Sequence, residues 1–139
     1  MPPSQVVVLG TGGTIAGTAA RPGDAIGYAA AQLGVAQLVE AIPALHGQAL
    51  QAEQVAQLDS KDMDVPTWQR LAARCAHWLA QPQVQGLVIT HGTDTLEETA
   101  WFLQQVLSPV KPVVITCAMR PATALVPDGQ GPSGDPGVN

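Results

Sequence analysis

Between Gly86 and Leu103 a short apolar run gives way to a polar turn, and the turn to a helix-like pattern. Leu87, Val88 and Ile89 are too few and too β-branched for a helix, so they read as a buried strand. His91-Gly92-Thr93-Asp94 forms the turn. Thr95-Leu96-Glu97-Glu98 then carries the Thr-x-x-Glu spacing of a capping box, which starts a helix. A strand, a tight turn and a capped helix make half of an α/β unit. Side chains in such a turn project from the carboxyl end of a strand, where open α/β sheets bind ligands. A hydroxyl and a carboxylate, Thr93 and Asp94, sit side by side there.

The same grammar recurs along the chain. Gln5 to Leu9 reads as a first strand, followed by the glycine-rich Gly10-Thr11-Gly12-Gly13-Thr14. A loop without periodicity, Arg21-Pro22-Gly23-Asp24 and beyond, suggests a mobile segment carrying Tyr28. Leu38, Val39 and Ile42 give a helix over Gly34 to Ile42 that Pro43 stops. Gln48 to Leu58 has few apolar residues, but a strand ending at Asp59 suits the alternation, and Ser60-Lys61-Asp62 is then a third polar turn. Trp68, Leu71, Ala72, Cys75, Trp78 and Leu79 mark a helix over Pro66 to Ala80. Leu96, Ala100, Leu103 and Leu107 share one face of the next, and Val113 to Cys117 is a further strand. Strands alternating with helices predict an α/β fold, a parallel sheet with flanking helices and right-handed crossovers, Rossmann-like in class.

Composition narrows the function. The chain has 139 residues, one domain's worth, and a formal charge of −5 with only six Lys and Arg. Nucleic-acid binding needs a basic face that six cations do not supply. No apolar run approaches the ~20 residues of a membrane span, and the first residues lack the charged start of a signal peptide. A cytoplasmic protein is the simplest inference. Cys75 and Cys117 fall on predicted core positions, so two buried free thiols are expected, not a disulfide or half of a metal site. His46 and His77 read as surface residues. Pro127 to Asn139 is more than half glycine and proline and reads as disordered.

The glycine loop invites a nucleotide reading and fails it. A dinucleotide fingerprint from Gly10 needs glycine where Ile15 stands, and a phosphate loop from Gly12 to Gly17 needs lysine where Thr18 stands. Glycines there instead give backbone room beside Thr14, a hydroxyl that becomes a nucleophile if a neighbouring base activates it. The plain alternative is a tight turn with surface hydroxyls. For Asp94 and Thr95 it is helix capping, which needs only one of them. His91 looks like a base but sits in the turn, where it can equally orient backbone. Three post-strand clusters without metal-ligand spacing favour hydroxyl-based acyl chemistry on a small polar substrate.

Thr11 to Ala16 (Thr-Gly-Gly-Thr-Ile-Ala) and His91 to Ala100 (His-Gly-Thr-Asp-Thr-Leu-Glu-Glu-Thr-Ala) resemble the two signature segments of bacterial-type L-asparaginases. Asp59-Ser60-Lys61-Asp62-Met63 and Lys111-Pro112-Val113-Val114 with Ala118-Met119-Arg120-Pro121 match in the same order. The resemblance implies a flavodoxin-like strand order and hydrolysis of L-asparagine to L-aspartate and ammonia, with minor glutaminase activity. It implies Thr14 as nucleophile, Tyr28 as its activator on a closing loop, and Thr93 in a second relay. Asp94 would bind the substrate ammonium and Ser60 its carboxylate, with Gly13 and Gly92 against the substrate. Neither metal nor organic cofactor is implied, and a homotetramer is. Neither a nucleic-acid nor a membrane partner is expected.

Two departures stand out. Lys61 replaces a residue that is neutral or acidic in many members. The likeness covers nearly all of Val6 to Gly129, within a partial α/β domain expected over residues 1–129. Residues 130–139 resemble nothing in the family, and the lysine of the Thr-Lys-Asp relay that the resemblance implies for Thr93 has no match. The chain is therefore expected to correspond to an N-terminal portion and to lack turnover by itself. Two rivals share parts of this pattern: the asparaginase-like subunit of a tRNA-dependent amidotransferase, and a module that binds an amino acid without turnover.

Overall fold

The computed structural model describes residues 3–19, 28–29 and 34–121. Its main sheet has four strands, β1 (Gln5–Gly12), β4 (Leu50–Leu58), β5 (Val84–Thr90) and β6 (Val113–Thr116), all parallel in the order β4-β1-β5-β6. In chain order this is second, first, third, fourth, the flavodoxin-like arrangement expected. A two-stranded antiparallel ribbon, β2 (Thr18–Ala19) with β3 (Tyr28–Ala29), stands apart from it. Tyr28 thus begins a paired strand, opposite Ala19. The Arg21–Asp24 loop and the Pro127–Asn139 tail lie outside the described residues.

Alternation along β1 divides the core. Val7 and Leu9 turn to one face, where Val55, Leu87 and Ile89 join Leu71 and Cys75 of α2 (Val65–Leu79) and Leu103 of α3 (Leu96–Leu107). Val8 and Gly10 turn to the other, where α1 (Val35–Glu40) packs on β1 and β4. At about 25 cal/mol per Å2, each fully buried Leu or Ile contributes roughly 2 kcal/mol, so this single layer of aliphatics is the main cohesive term.

Local signals explain most element ends. Asp64 caps α2 by accepting the Thr67 N–H at 2.9 Å, and proline stands in its first turn. Arg74 on α2 grips Glu53 on β4 with two hydrogen bonds, 2.8 and 2.7 Å, which hold the Glu53 carboxyl below its ordinary pKa. The structure corrects three expectations. The helix after Gly34 ends at Glu40, and Pro43 opens a separate 3-10 turn, Pro43–Leu45, instead of stopping the helix. The Thr95-x-x-Glu box does not form: Thr95 occupies the cap position of α3 but its side chain makes no capping bond. Cys75 is buried and its thiol is pushed up to about 12 by desolvation, whereas Cys117 is only half-buried. His46 and His77 are exposed, as expected.

Candidate active site

The crossover from β1 leads to β4 on one side and that from β5 leads to β6 on the other, so the chain diverges above the β1–β5 pair. That is the topological switch point, where a crevice opens at the carboxyl ends of the strands. Three polar turns converge there: residues 13–16 after β1, residues 59–63 after β4 and residues 91–95 after β5.

Gly13 has φ 79° and ψ −174°, a conformation that L side chains rarely adopt. A methyl group on it would lie 2.5 Å from both Cα and N of Gly92. A methyl on Gly92 would in turn fall 2.7 Å from Cβ of Ser60. Gly13 and Gly92 are therefore in backbone contact, with the Ser60 side chain packed against Gly92, and only the absence of side chains on the two glycines permits it. Thr14 follows Gly13 and opens a 3-10 turn; Thr93 follows Gly92. The two threonines flank the point where the loops touch. Thr14 is half-buried, while Thr93 and Asp94 are exposed.

Hydrogen bonds lock the stack. The Gly13 N–H donates to Leu58 O at 3.0 Å and His91 N–H to Thr116 O at 2.9 Å. Thr11 Oγ1 donates to Thr90 O at 2.6 Å beneath the loops. Ser60, 3% exposed, accepts the Asp94 N–H on Oγ at 3.1 Å, and its carbonyl accepts the Thr95 hydroxyl at 2.8 Å. The Thr95 hydroxyl thus ties two turns together instead of capping its helix. Because the Gly13 N–H is committed to Leu58, Gly13 shapes the loop and is not a donor to an oxyanion.

A model of the asparaginase N-terminal domain matches residues 5–131. The chain belongs to the asparaginase family. It is 43% identical over 127 residues to the glutaminase-asparaginase of Pseudomonas fluorescens biotype A, an alignment covering 91% of this chain and 35% of that protein. It is 45% identical over 126 residues to L-asparaginase 2 of Bacillus subtilis strain 168, covering 90% of this chain and 34% of that one. Among solved structures, a probable cytoplasmic L-asparaginase from Campylobacter jejuni superposes with a TM-score of 0.81 at 42% identity, over 94% of this chain and 39% of the other. The chain therefore spans little more than a third of the length of the relatives it matches.

In this asparaginase-family chain the turns bearing Thr14, Ser60, Thr93 and Asp94 come together at one sheet edge. Tyr28 begins the second strand of the β2–β3 ribbon. Lys61 turns to its neighbour Asp62, whose two oxygens lie 3.2 and 3.1 Å from Nζ. That ion pair chiefly raises the Lys61 pKa, with lesser contributions from Asp59 and Asp94. No cluster of three His, Cys, Asp or Glu side chains suited to a metal occurs among the described residues. Nor is any described helix long and apolar enough to cross a membrane.

Sequence reasoning missed the polar layer under the turns. Thr11, Thr90, His91 and Thr99 are all buried, at 1%, 6%, 0% and 0% exposure. One signal was available: Thr99 falls on the apolar stripe of its helix, three residues from Leu96 and four from Leu103. A polar residue on a buried stripe requires a partner.

Proposed function

We propose that the protein hydrolyses the side-chain amide of L-asparagine, giving L-aspartate and ammonia. What supports the reading above all is the contact of Gly13 with Gly92, which brings Thr14 and Thr93 to either side of one point, with Asp94 and Ser60 beside it. A hydroxyl nucleophile, a second hydroxyl, a carboxylate for an ammonium and a hydroxyl for a carboxylate suit a zwitterionic amide. The names of two kinds of relative, L-asparaginase and glutaminase-asparaginase, support a minor activity on glutamine as well.

In this mechanism Thr14 Oγ1 adds to the amide carbon while its proton passes to a base, and Tyr28 assists the transfer. The carbonyl oxygen becomes an oxyanion, which preorganised N–H donors stabilise. Collapse expels ammonia, which takes up the proton, and leaves an acyl ester on Thr14. Water, oriented with the help of Thr93, adds to the ester and releases aspartate. Asp94 holds the substrate ammonium and Ser60 its carboxylate, converting a bimolecular encounter into a positioned one. Ser60 retains its own hydroxyl proton for this, since its oxygen only accepts from Asp94. The chemistry as written draws on hydroxyls, amides and carboxylates. Gly13 and Gly92 border the substrate position with bare backbone, their close contact letting both threonines reach one substrate. We read the α/β unit as ending near Gly129, the protein as cytoplasmic, and its assembly as a homotetramer.

Ammonia release by the full-length natural protein tests this. Thr14→Val and Thr93→Val should each abolish turnover of L-asparagine while circular dichroism and the melting midpoint stay near those of the parent. Near-normal turnover in Thr93→Val would return Thr93 to an ordinary turn residue. A parent that binds aspartate but releases no ammonia would make this site a binding module.

A further inference from the structure

Beneath the turn after β5 runs a line of buried hydrogen bonds with a fixed direction. His91 Nδ1 lies 2.7 Å from Gly92 O, and a carbonyl only accepts, so Nδ1 carries the proton. Trp68 Nε1 lies 2.8 Å from Thr99 Oγ1, and an indole only donates. His91 Nε2 lies 2.8 Å from the same Thr99 oxygen. In a neutral imidazole Nε2 has no proton, so the Thr99 hydroxyl donates to it. Burial favours that neutral form, depressing the His91 pKa. Every link then has one allowed sense: Trp68 to Thr99, Thr99 to His91, His91 to Gly92. Both ring nitrogens are occupied and the ring is 0% exposed, so His91 does not reach a substrate.

The line ends on the carbonyl of the peptide that joins Gly92 to Thr93. The other side of the same turn is held by Asp94 N–H on Ser60 Oγ. Trp68 is itself fixed, stacked on Phe102 with ring centroids 5.2 Å apart. The anchor of the line is thus the α2–α3 contact.

We propose that Trp68, Thr99 and His91 are positioning residues: their one-way hydrogen-bond line from the α2–α3 contact fixes the Gly92–Thr93 peptide plane and thereby aims Thr93 and Asp94. This rests on the amidase reading of the site. A turn held on one side only would rock, and a small misplacement of reacting groups costs rate steeply.

The test compares Thr99→Val with Thr99→Ser in the full-length natural protein. Valine keeps the shape and removes the hydroxyl; serine keeps the hydroxyl and removes a methyl. For L-asparagine, kcat/KM should fall about tenfold in Thr99→Val, the scale of one lost buried hydrogen bond, and stay within about twofold of the parent in Thr99→Ser. Trp68→Phe, which removes the indole N–H together with part of the ring but keeps an aromatic face for Phe102, should fall between them. Long-range 1H–15N spectra of 15N-histidine-labelled parent should show His91 protonated on Nδ1 and bare on Nε2. In Thr99→Val the Thr93 and Asp94 amides should exchange faster.

Equal loss in the serine and valine variants would reduce Thr99 to a packing residue and overturn the proposal. Parent-like kinetics in Thr99→Val, or an Nε2-protonated His91 in the parent, would overturn it too. If the parent hydrolyses no asparagine, the amidase reading fails by itself, and the tautomer and amide-exchange results decide the hydrogen-bond line. Should Thr99→Val not fold, the parent tautomer and Trp68→Phe decide it.

Discussion

The loop after β1 and the turn after β5 touch at a single point, yet they are held there by different means. The first is held by backbone shape: Gly12 and Gly13 have φ of 105° and 79°, and the Gly13 N–H is bonded to Leu58 O. The second is held by side chains: Ser60 and Thr95 on one side, His91 and Thr99 on the other. Backbone shape is all-or-none, since no larger residue fits. Side-chain anchoring is graded, since each bond can be lost separately. The division matches the proposed chemistry, in which Thr14 is presented by the backbone that bears it and Thr93 and Asp94 are aimed by the side chains that hold their turn.

Gly13→Ala should therefore do the most damage. It combines an extended positive-φ conformation open essentially to glycine alone, costing about 1–3 kcal/mol in an L-residue, with an overlap that adds about 1–3 kcal/mol. A loss of about 3 kcal/mol in denaturant unfolding of the full-length natural protein is expected, with no turnover. A loss below about 1 kcal/mol would mean that the loop adapts, and the contrast between the two turns would collapse.

Gly92→Ala meets space alone, because its backbone is not among the positive-φ glycines. About 2 kcal/mol is expected, within the range for overpacking. Ser60→Gly should rescue part of it, since the new methyl collides chiefly with that side chain. In a double-mutant cycle the pair should be less destabilised than the sum of the singles by about 1 kcal/mol or more. Additive losses would show that the turns are not stacked as described.

The same contrast explains how far the sequence could be read. Strands β1 and β5 were legible because buried parallel strands are continuous apolar runs, and α2 because Leu71 and Cys75 repeat at helical spacing. Strand β4 was ambiguous because it is an edge of the described sheet: Gln51 and Gln57 face solvent, the Gln54 amide accepts the Val35 N–H of α1, and only Val55 is well buried. The turn residues were legible as a set through their shared place after strands. What each does was not, because partners lie far along the chain. The Thr95 hydroxyl sits where a cap belongs and is drawn instead to Ser60 O, 35 residues away. Local propensity proposes a partner; tertiary approach of another turn supplies a different one.

Acid should separate the side-chain-held turn from the rest of the fold. His91 has a folded pKa below its ordinary 6.5 because burial opposes its charge. Above 6.5 both states carry it neutral. As pH falls through 6.5 the unfolded chain takes up a proton that the folded chain refuses, so stability declines until the folded value is passed. Glu53, lowered from 4.5 chiefly by Arg74, contributes stability present above 4.5 and lost as pH falls through its folded value. The midpoint of the full-length natural protein should thus drop in two windows, one beginning near 6.5 and one below 4.5. His91→Asn should flatten the first and spare the second; an unchanged first window would assign it to other groups.

Lys61 offers the smallest and most discriminating effect, because it stands on the Ser60 turn yet outside the stack. Its ammonium pairs with Asp62, and the two side chains are 64% and 62% exposed. Exposed pairs contribute little to stability, so Lys61→Gln should leave the melting midpoint unchanged within error. Its influence on substrate has two opposing parts. Removing the cation weakens attraction for a substrate carboxylate, but it also removes a positive charge that repels the substrate ammonium. With both parts screened over about 10 Å at 0.1 M salt, KM for L-asparagine should move by no more than about twofold. A larger rise that disappears at high salt would make Lys61 a carboxylate contact, and would extend the candidate site beyond the stacked glycines to the exposed rim of the third turn.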